Sequence, residues 1–285
     1  MRYKNQCVYR PLAQINYISK SDIFFSCTEQ EHRSNENTVA EHALVYIYSG
    51  SMTVTDINGT YTMHEGETFL FYRNMLAKFI KHPSENAEFK SISILFSQPF
   101  LQEFYSLNQP DGNSKPKWEA KRIEKHPLLI SLFGSILPYY DLHGESLPER
   151  LTNIKLQEAI TILRTVDIST DGILANFSER GKIDLAEFML KSFTFNIPLA
   201  RFAYLTGRSL ATFKRDFQKI FNTYPQKWLL EKRLSQARYL ISEKNIKPSD
   251  AYLAAGFENL SHFSTTFKKH FGYSPSSLVS HKSSD

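Results

Sequence analysis

Near the C-terminal end, apolar residues fall at steps of three and four in two stretches that share one phase. Residues 210–221 read LATFKRDFQKIF and residues 260–271 read LSHFSTTFKKHF. Leu210, Phe213, Phe217 and Phe221 are matched, fifty positions on, by Leu260, Phe263, Phe267 and Phe271. That spacing puts each quartet on one stripe of an α-helix, so both stretches are predicted to be helices that bury the stripe. Asn222 and Gly272 follow them, residue types that tolerate the left-handed conformation at a helix end, with Pro225 and Pro275 just beyond. The flanking pattern repeats too. Helical stretches at 183–193 and 198–206 precede the first copy, with Gly207 in a short turn and Ser209 as N-cap. A long helix is predicted at 225–242, with Trp228, Leu229, Leu234, Ala237 and Leu240 on its buried side. Residues 248–255 and 259–271 then repeat the pair, joined by Gly256 and Phe257, with Asn259 as N-cap. Helix, tight glycine turn, helix is a pattern whose second helix can enter a DNA major groove. The ~18-residue bridge would span about 27 Å, close to one duplex turn of ~34 Å.

Between residues 24 and 96 the pattern is one of short strands and turns. HALVYIY at 42–48 is rich in β-formers, Met52, Val54 and Ile57 precede Asn58-Gly59, and apolar runs follow at 68–72 and 91–96. Asn-Gly between such runs predicts a hairpin with a type I′ turn. The spacing suggests a small antiparallel barrel or sandwich, its interior either holding a small ligand or filled by its own side chains. Helices are predicted at 99–107 and 128–140, separated by the polar stretch QPDGNSKPKWEAKR. Leu151, Ile154, Leu156, Ile160, Leu163 and Val166 form a further helical stripe, which either packs on its own domain or makes a dimer interface. Residues 167–178 hold a short helix or the linker into the next domain.

At 285 residues the chain is long enough for two domains with separate cores. Charge divides them. Residues 178–285 carry 17 Lys/Arg against 9 Asp/Glu, net +8, and residues 1–177 carry 17 against 20, net −3. A basic C-terminal half fits a polyanion partner. No apolar run approaches the ~20 residues that span a bilayer, and MRYKNQCVYRPLAQINY lacks the features of a signal peptide, so the cytoplasm is the expected compartment.

Catalytic chemistry finds little support in the pattern. Cys7 and Cys27 have no metal-ligand spacing, and His64-Glu65 would point to opposite faces of a strand. His42 and His82 are isolated and are expected at the surface or in turns. No catalytic residue, metal or cofactor is expected. The alternative reading, a cupin-type metal-dependent enzyme with a helical appendage, lacks a histidine cluster. Opposite the first stripe stand Arg208, Ala211, Thr212, Arg215, Gln218 and Lys219, with Lys214 at the edge of that face. Opposite the second stand Ser261, His262, Thr265, Lys268 and Lys269. Such side chains suit groove contact: Arg pairs with guanine, Thr meets a thymine methyl, and Lys or Gln reaches bases or phosphates. The second face is less basic near its start, so weaker base discrimination and more phosphate contact are expected there.

Residues 196–278 resemble the DNA-binding domain of AraC/XylS-type transcriptional regulators, most closely in GFENLSHFSTTFKKHFGYSP and in KRLSQARYL with Arg233 and Ala237. The resemblance implies an α+β multidomain protein. A small cupin-like antiparallel β-barrel sensor at 1–100 and a helical dimerisation or linker region at 101–177 would precede an all-α, seven-helix, double helix-turn-helix domain at 178–285. It implies a sequence-specific DNA-binding regulator, an activator, controlled through the N-terminal domain by a small ligand or a protein. Its partners would be double-stranded DNA at two adjacent major grooves, RNA polymerase and a second copy of the chain, with no membrane. By motif position, base reading falls on Ala211, Lys214, Arg215, Ser261, His262 and Thr265. Arg208, Thr212, Gln218, Lys219, Asn259, Lys268 and Lys269 would flank them on the backbone. Tyr252 stands where that family has a small residue, which predicts altered packing of the helix that carries it.

Overall fold

The computed structural model describes residues 22–33, 38–115, 117–143, 147–178 and 181–280. The N-terminal segment read above for a leader, including Cys7, lies outside them. The chain divides into two compact units, residues 1–178 and 179–285.

In the first unit, nine strands among the described residues form two antiparallel sheets. The strands are β1 (Ile23–Thr28), β2 (His32–Arg33), β3 (His42–Ser49), β4 (Ser51–Asp56), β5 (Thr60–His64), β6 (Thr68–Phe71), β7 (Ala77–His82), β8 (Phe89–Phe96) and β9 (Lys121–Ile123). One sheet runs β1-β8-β3-β6-β9 and the other β2-β7-β4-β5. Neither sheet closes on itself, so of the expected barrel or sandwich the unit takes the two-sheet form. The register slips between Ile47 and Ser49, and Gly50 then carries the chain from one sheet into the other. Gly50 has φ of +77°, and a Cβ there would lie 2.4 Å from the His82 carbonyl oxygen. Only glycine fits that corner.

The hairpin at Asn58-Gly59 forms, but with different turn chemistry. Of the pair, only Gly59 takes positive φ (149°). The Asp56 carboxylate accepts from both the Asn58 and Gly59 N–H groups, at 2.7 and 3.0 Å, which holds the loop without a type I′ turn. The polar stretch before β9 is not all loop, because residues 121–123 pair with β6.

Among the described residues, α1 (Gln98–Leu107) lies between β8 and β9, and α2 (Pro127–His143), α3 (Glu149–Val166) and the short α4 (Asp171–Leu174) follow β9. They extend the core of the sheets, contributing Leu101, Leu132, Phe133, Ile160, Leu163 and Ile173. The interior is therefore filled by side chains of the unit itself. α3 packs on this core through Leu156, Ile160 and Leu163 together with Thr152, Ala159 and Ile162, while Ile154 of the expected stripe is 57% exposed. A buried knot ties the helices: Tyr105 Oη donates to Asp171 at 2.6 Å, and Arg164 pairs with the same carboxylate at 3.0 Å.

His42 is not a surface histidine. It is 1% exposed in β3, its Nδ1 accepts the Arg73 N–H at 3.2 Å, and its Nε2 has no partner among the described residues. Burial first, and the Arg73 charge second, push its pKa down to about 3. An unfolded histidine titrates near 6.5, so between these values the unfolded chain binds a proton that the fold refuses. Stability due to neutral His42 is whole above that upper value and is lost as the pH falls. Burial raises the neighbouring carboxyls of Glu41 and Asp22, which slope the other way. In denaturant titrations at pH 7 and pH 5, wild type should lose stability relative to His42→Asn by up to about 1 kcal/mol per pH unit. A gap between the two proteins that does not change with pH contradicts this account.

Candidate nucleic-acid interface

The second unit holds seven helices among its described residues: α5 (Leu185–Ser192), α6 (Leu199–Leu205), α7 (Leu210–Phe221), α8 (Pro225–Ser242), α9 (Pro248–Ala254), α10 (Leu260–Phe271) and α11 (Ser277–Ser280). α5 starts at Asp184, whose carboxylate caps the Glu187 N–H. The two helix pairs, α6–α7 and α9–α10, are built alike. In the first turn, Gly207 takes φ of +66° and donates to the Tyr204 carbonyl, while the Arg208 N–H reaches back to Ala203. In the second, Gly256 takes φ of +96° and donates to Leu253, while the Phe257 N–H reaches back to Tyr252. Each following helix is then capped. Ser209 Oγ accepts the Thr212 N–H, and Asn259 Oδ1 accepts the His262 N–H. At the far ends Asn222 and Gly272 close the helices in the left-handed conformation, with φ of 51° and 86°.

The apolar stripes decide which face is left. Phe213 and Phe217 of α7, and Phe263 and Phe267 of α10, are completely buried. Phe217 meets Trp228 of α8 edge-on at 5.5 Å, and Phe267 meets Tyr273 at 6.0 Å. The first member of each predicted stripe departs from it: Leu210 is 38% and Leu260 42% exposed. Both sit at the first helical position. Tyr252 is accommodated without disruption, its ring stacking on Phe263 at 6.1 Å.

On the opposite sides, Ala211, Lys214, Arg215, Gln218 and Lys219 are exposed on α7, and Ser261, His262, Thr265, Lys268 and Lys269 on α10. Thr212 is half-buried, and Asn259 is exposed with its side-chain oxygen committed to the cap. Arg208 does not belong with them. Its side chain is only 10% exposed, pairs with Asp216 at 3.1 Å, and donates to the Ile183 and Thr206 carbonyls. This pairing holds the Asp216 carboxyl below its ordinary range. The same place in the second turn is filled by Phe257, which packs on Phe263 at 5.1 Å. Arg208 is therefore committed to internal partners. Helical phase could not show this, because the residue precedes the helix.

The bridge α8 contributes a second internal arginine. Arg233 donates from Nε to the Phe193 carbonyl at 2.7 Å, and from its two terminal nitrogens to Asn196 Oδ1 and the Phe195 carbonyl, both at 3.0 Å. Among the described residues, no group of three or more His, Cys, Asp or Glu is placed to hold a metal ion. None of their helices is long and apolar enough to cross a membrane.

Two helix-turn-helix units in tandem, each with a capped helix whose polar side is open, define a DNA-binding regulator of transcription. Residues 202–280 match the helix-turn-helix domain family, and residues 42–169 match the family described as the ExsA N-terminal regulatory domain. The HTH-type transcriptional regulator ExsA of Pseudomonas aeruginosa is 25% identical over 86% of this chain and 87% of its own. The thermoregulatory protein LcrF of Yersinia pestis is 27% identical over 84% of this chain and 90% of its own. A solved structure of Vibrio cholerae ToxT with an unsaturated fatty acid bound covers 90% of this chain and 93% of its own, at 16% identity and a TM-score of 0.40. Across both units the chain is thus similar to transcriptional regulators of the AraC/XylS type.

Replacing Arg208 with Met should lower the melting temperature of the second unit by roughly 5 °C, by leaving Asp216 and two carbonyls without their donor. Arg215→Ala should leave it unchanged. Calorimetry of both variants checks this, and an unshifted Arg208→Met transition contradicts the internal role.

Proposed function

We propose that α7 and α10 enter two successive major grooves of one duplex and read it with their exposed faces. Ala211, Lys214 and Arg215 would meet base edges in one groove, and Ser261, His262 and Thr265 in the next. Arg215 is the strongest discriminator of the set, because its fork pairs two-fold with a guanine. Ala211 offers only a methyl contact, and Ser261, His262 and Thr265 offer short polar ones. Thr212, Gln218, Lys219, Asn259, Lys268 and Lys269 would fix the register on sugars and phosphates. The observation that carries this reading is the matched construction of the two helices: the same buried phenylalanine pair, the same caps, and an open polar side that is cationic toward the helix end.

Residues 1–177 are the control half in this proposal, since the match to a regulatory domain lies there. A small molecule or a protein acts on that half and sets the activity of the DNA-binding half. Activation is the proposed outcome, through contact with RNA polymerase, and a homodimer in the cytoplasm is the proposed working form. A polar cleft of about 640 Å³, lined by Asp56, Tyr61, Lys117, Trp118 and Glu119, is the proposed place for a small polar effector in this unit.

Selection of bound duplexes from a random pool, followed by gel shifts across a salt series, tests the DNA reading. Arg215→Ala should cost about 1–3 kcal/mol and relax one base position. Lys269→Ala should weaken every sequence alike and flatten the logarithmic salt slope by about one. Unchanged affinity in both variants removes the assigned roles.

A further inference from the structure

The two reading heads meet at one short segment, residues 193–196, between α5 and α6. Two parts of the chain converge on it. From the bridge, Arg233 uses its guanidinium to hold the Phe193 and Phe195 carbonyls and the Asn196 side chain, all within 3.0 Å. From the second head, the turn at Gly256 comes down on Thr194. A Cβ at residue 256 would lie 2.4 Å from the Thr194 carbonyl oxygen and 2.9 Å from its carbonyl carbon. The backbone there also has φ of +96°, a conformation that side chains other than glycine rarely take. Glu258, two residues on, is near enough for its charge to favour the Arg233 cation. Phe195 is 1% exposed and Ala255 fully buried, so both lie away from the surface of the unit.

We infer that Arg233 and Gly256 are positioning residues that lock the second head onto the first and so set the distance and angle between the two DNA-reading helices. This rests on the two-groove reading proposed above. The second head packs its core on α8 through Leu234, Ala237 and Ile241. The seat at residues 193–196 then ties both the bridge and the turn at Gly256 to the first head. It lies on the backbone of the first head, behind its turn, and neither residue is among those assigned to DNA. A rigid pair of heads binds the second groove without a further search, which is worth roughly tenfold or more over the better single contact. It also makes binding intolerant of altered spacing between the half-sites.

The test uses the full-length protein and the duplex it selects from a random pool, together with two versions in which one half is scrambled and one with a base pair inserted between halves. Gly256→Ala must push the Thr194 carbonyl away. Its affinity for the whole site should fall by roughly tenfold or more, while each half-scrambled duplex changes by less than about twofold. Its penalty for the inserted base pair should shrink as well. Arg233→Lys keeps the charge and stem but loses the fork that grips two carbonyls and an amide. It should show the same split, and it carries the test if Gly256→Ala fails to fold. Equal fractional losses on all duplexes, or a whole-site affinity like that of wild type, overturn the clamp. A wild-type protein that binds the half-scrambled duplexes as tightly as the whole site overturns the two-groove reading itself, and the clamp with it.

Discussion

Burial of two phenylalanine pairs governs the arrangement of everything else in the DNA-binding unit. Phe213 and Phe217, and Phe263 and Phe267, each remove a large ring from water, worth roughly 2 kcal/mol apiece. Turning either helix half a revolution would forfeit about 4 kcal/mol, a large share of the ~5–15 kcal/mol that keeps a domain folded. Neither helix can therefore present any other side. The polar residues along Ala211–Lys219 and Ser261–Lys269 are exposed because the rings opposite them cannot be.

Around that constraint the unit spends its charged groups unevenly. Arg208 and Arg233 look, by composition, like any other basic residues of a DNA-binding half, yet both face inward and satisfy carbonyls. Each braces a place where the backbone turns sharply between helices. Exposed cations stand on the reading helices, Lys214, Arg215 and Lys219 on one and Lys268 and Lys269 on the other, and also elsewhere on the unit, as at Lys227, Lys232 and Lys244. The basic character of the domain thus divides into an internal frame and an outward surface. In the first unit, a comparable inward use is seen at Arg164 and Arg73, which hold Asp171 and the Ser178 carbonyl.

The C-terminal unit was legible from the chain because its determinants are local. Helical period, N-caps at Ser209 and Asn259, and left-handed ends at Asn222 and Gly272 act within a dozen residues, and each was readable. What escaped was set by distance in sequence. Arg208 finds Asp216 across a turn, and its fate depends on that partner. His42 is buried because β8 and β6 flank β3 from more than twenty residues away. β9 is three residues long and exists only as an edge on β6. Asn58-Gly59 announced the hairpin correctly, but the neighbouring Asp56 carboxylate chose a different loop. Leu210 and Leu260 fit the stripe by period alone and stay partly exposed at its end, at the first position of each helix.

The most direct measurement of the central claim is methylation interference on the selected duplex. Major-groove methyl groups at guanine N7 block close approach, so the positions that abolish binding trace where each helix lies. Two clusters centred about 10 base pairs apart, on the same side of the duplex, are the result expected of α7 and α10 in successive grooves. A single cluster, or two separated by half a turn on opposite sides, would contradict it.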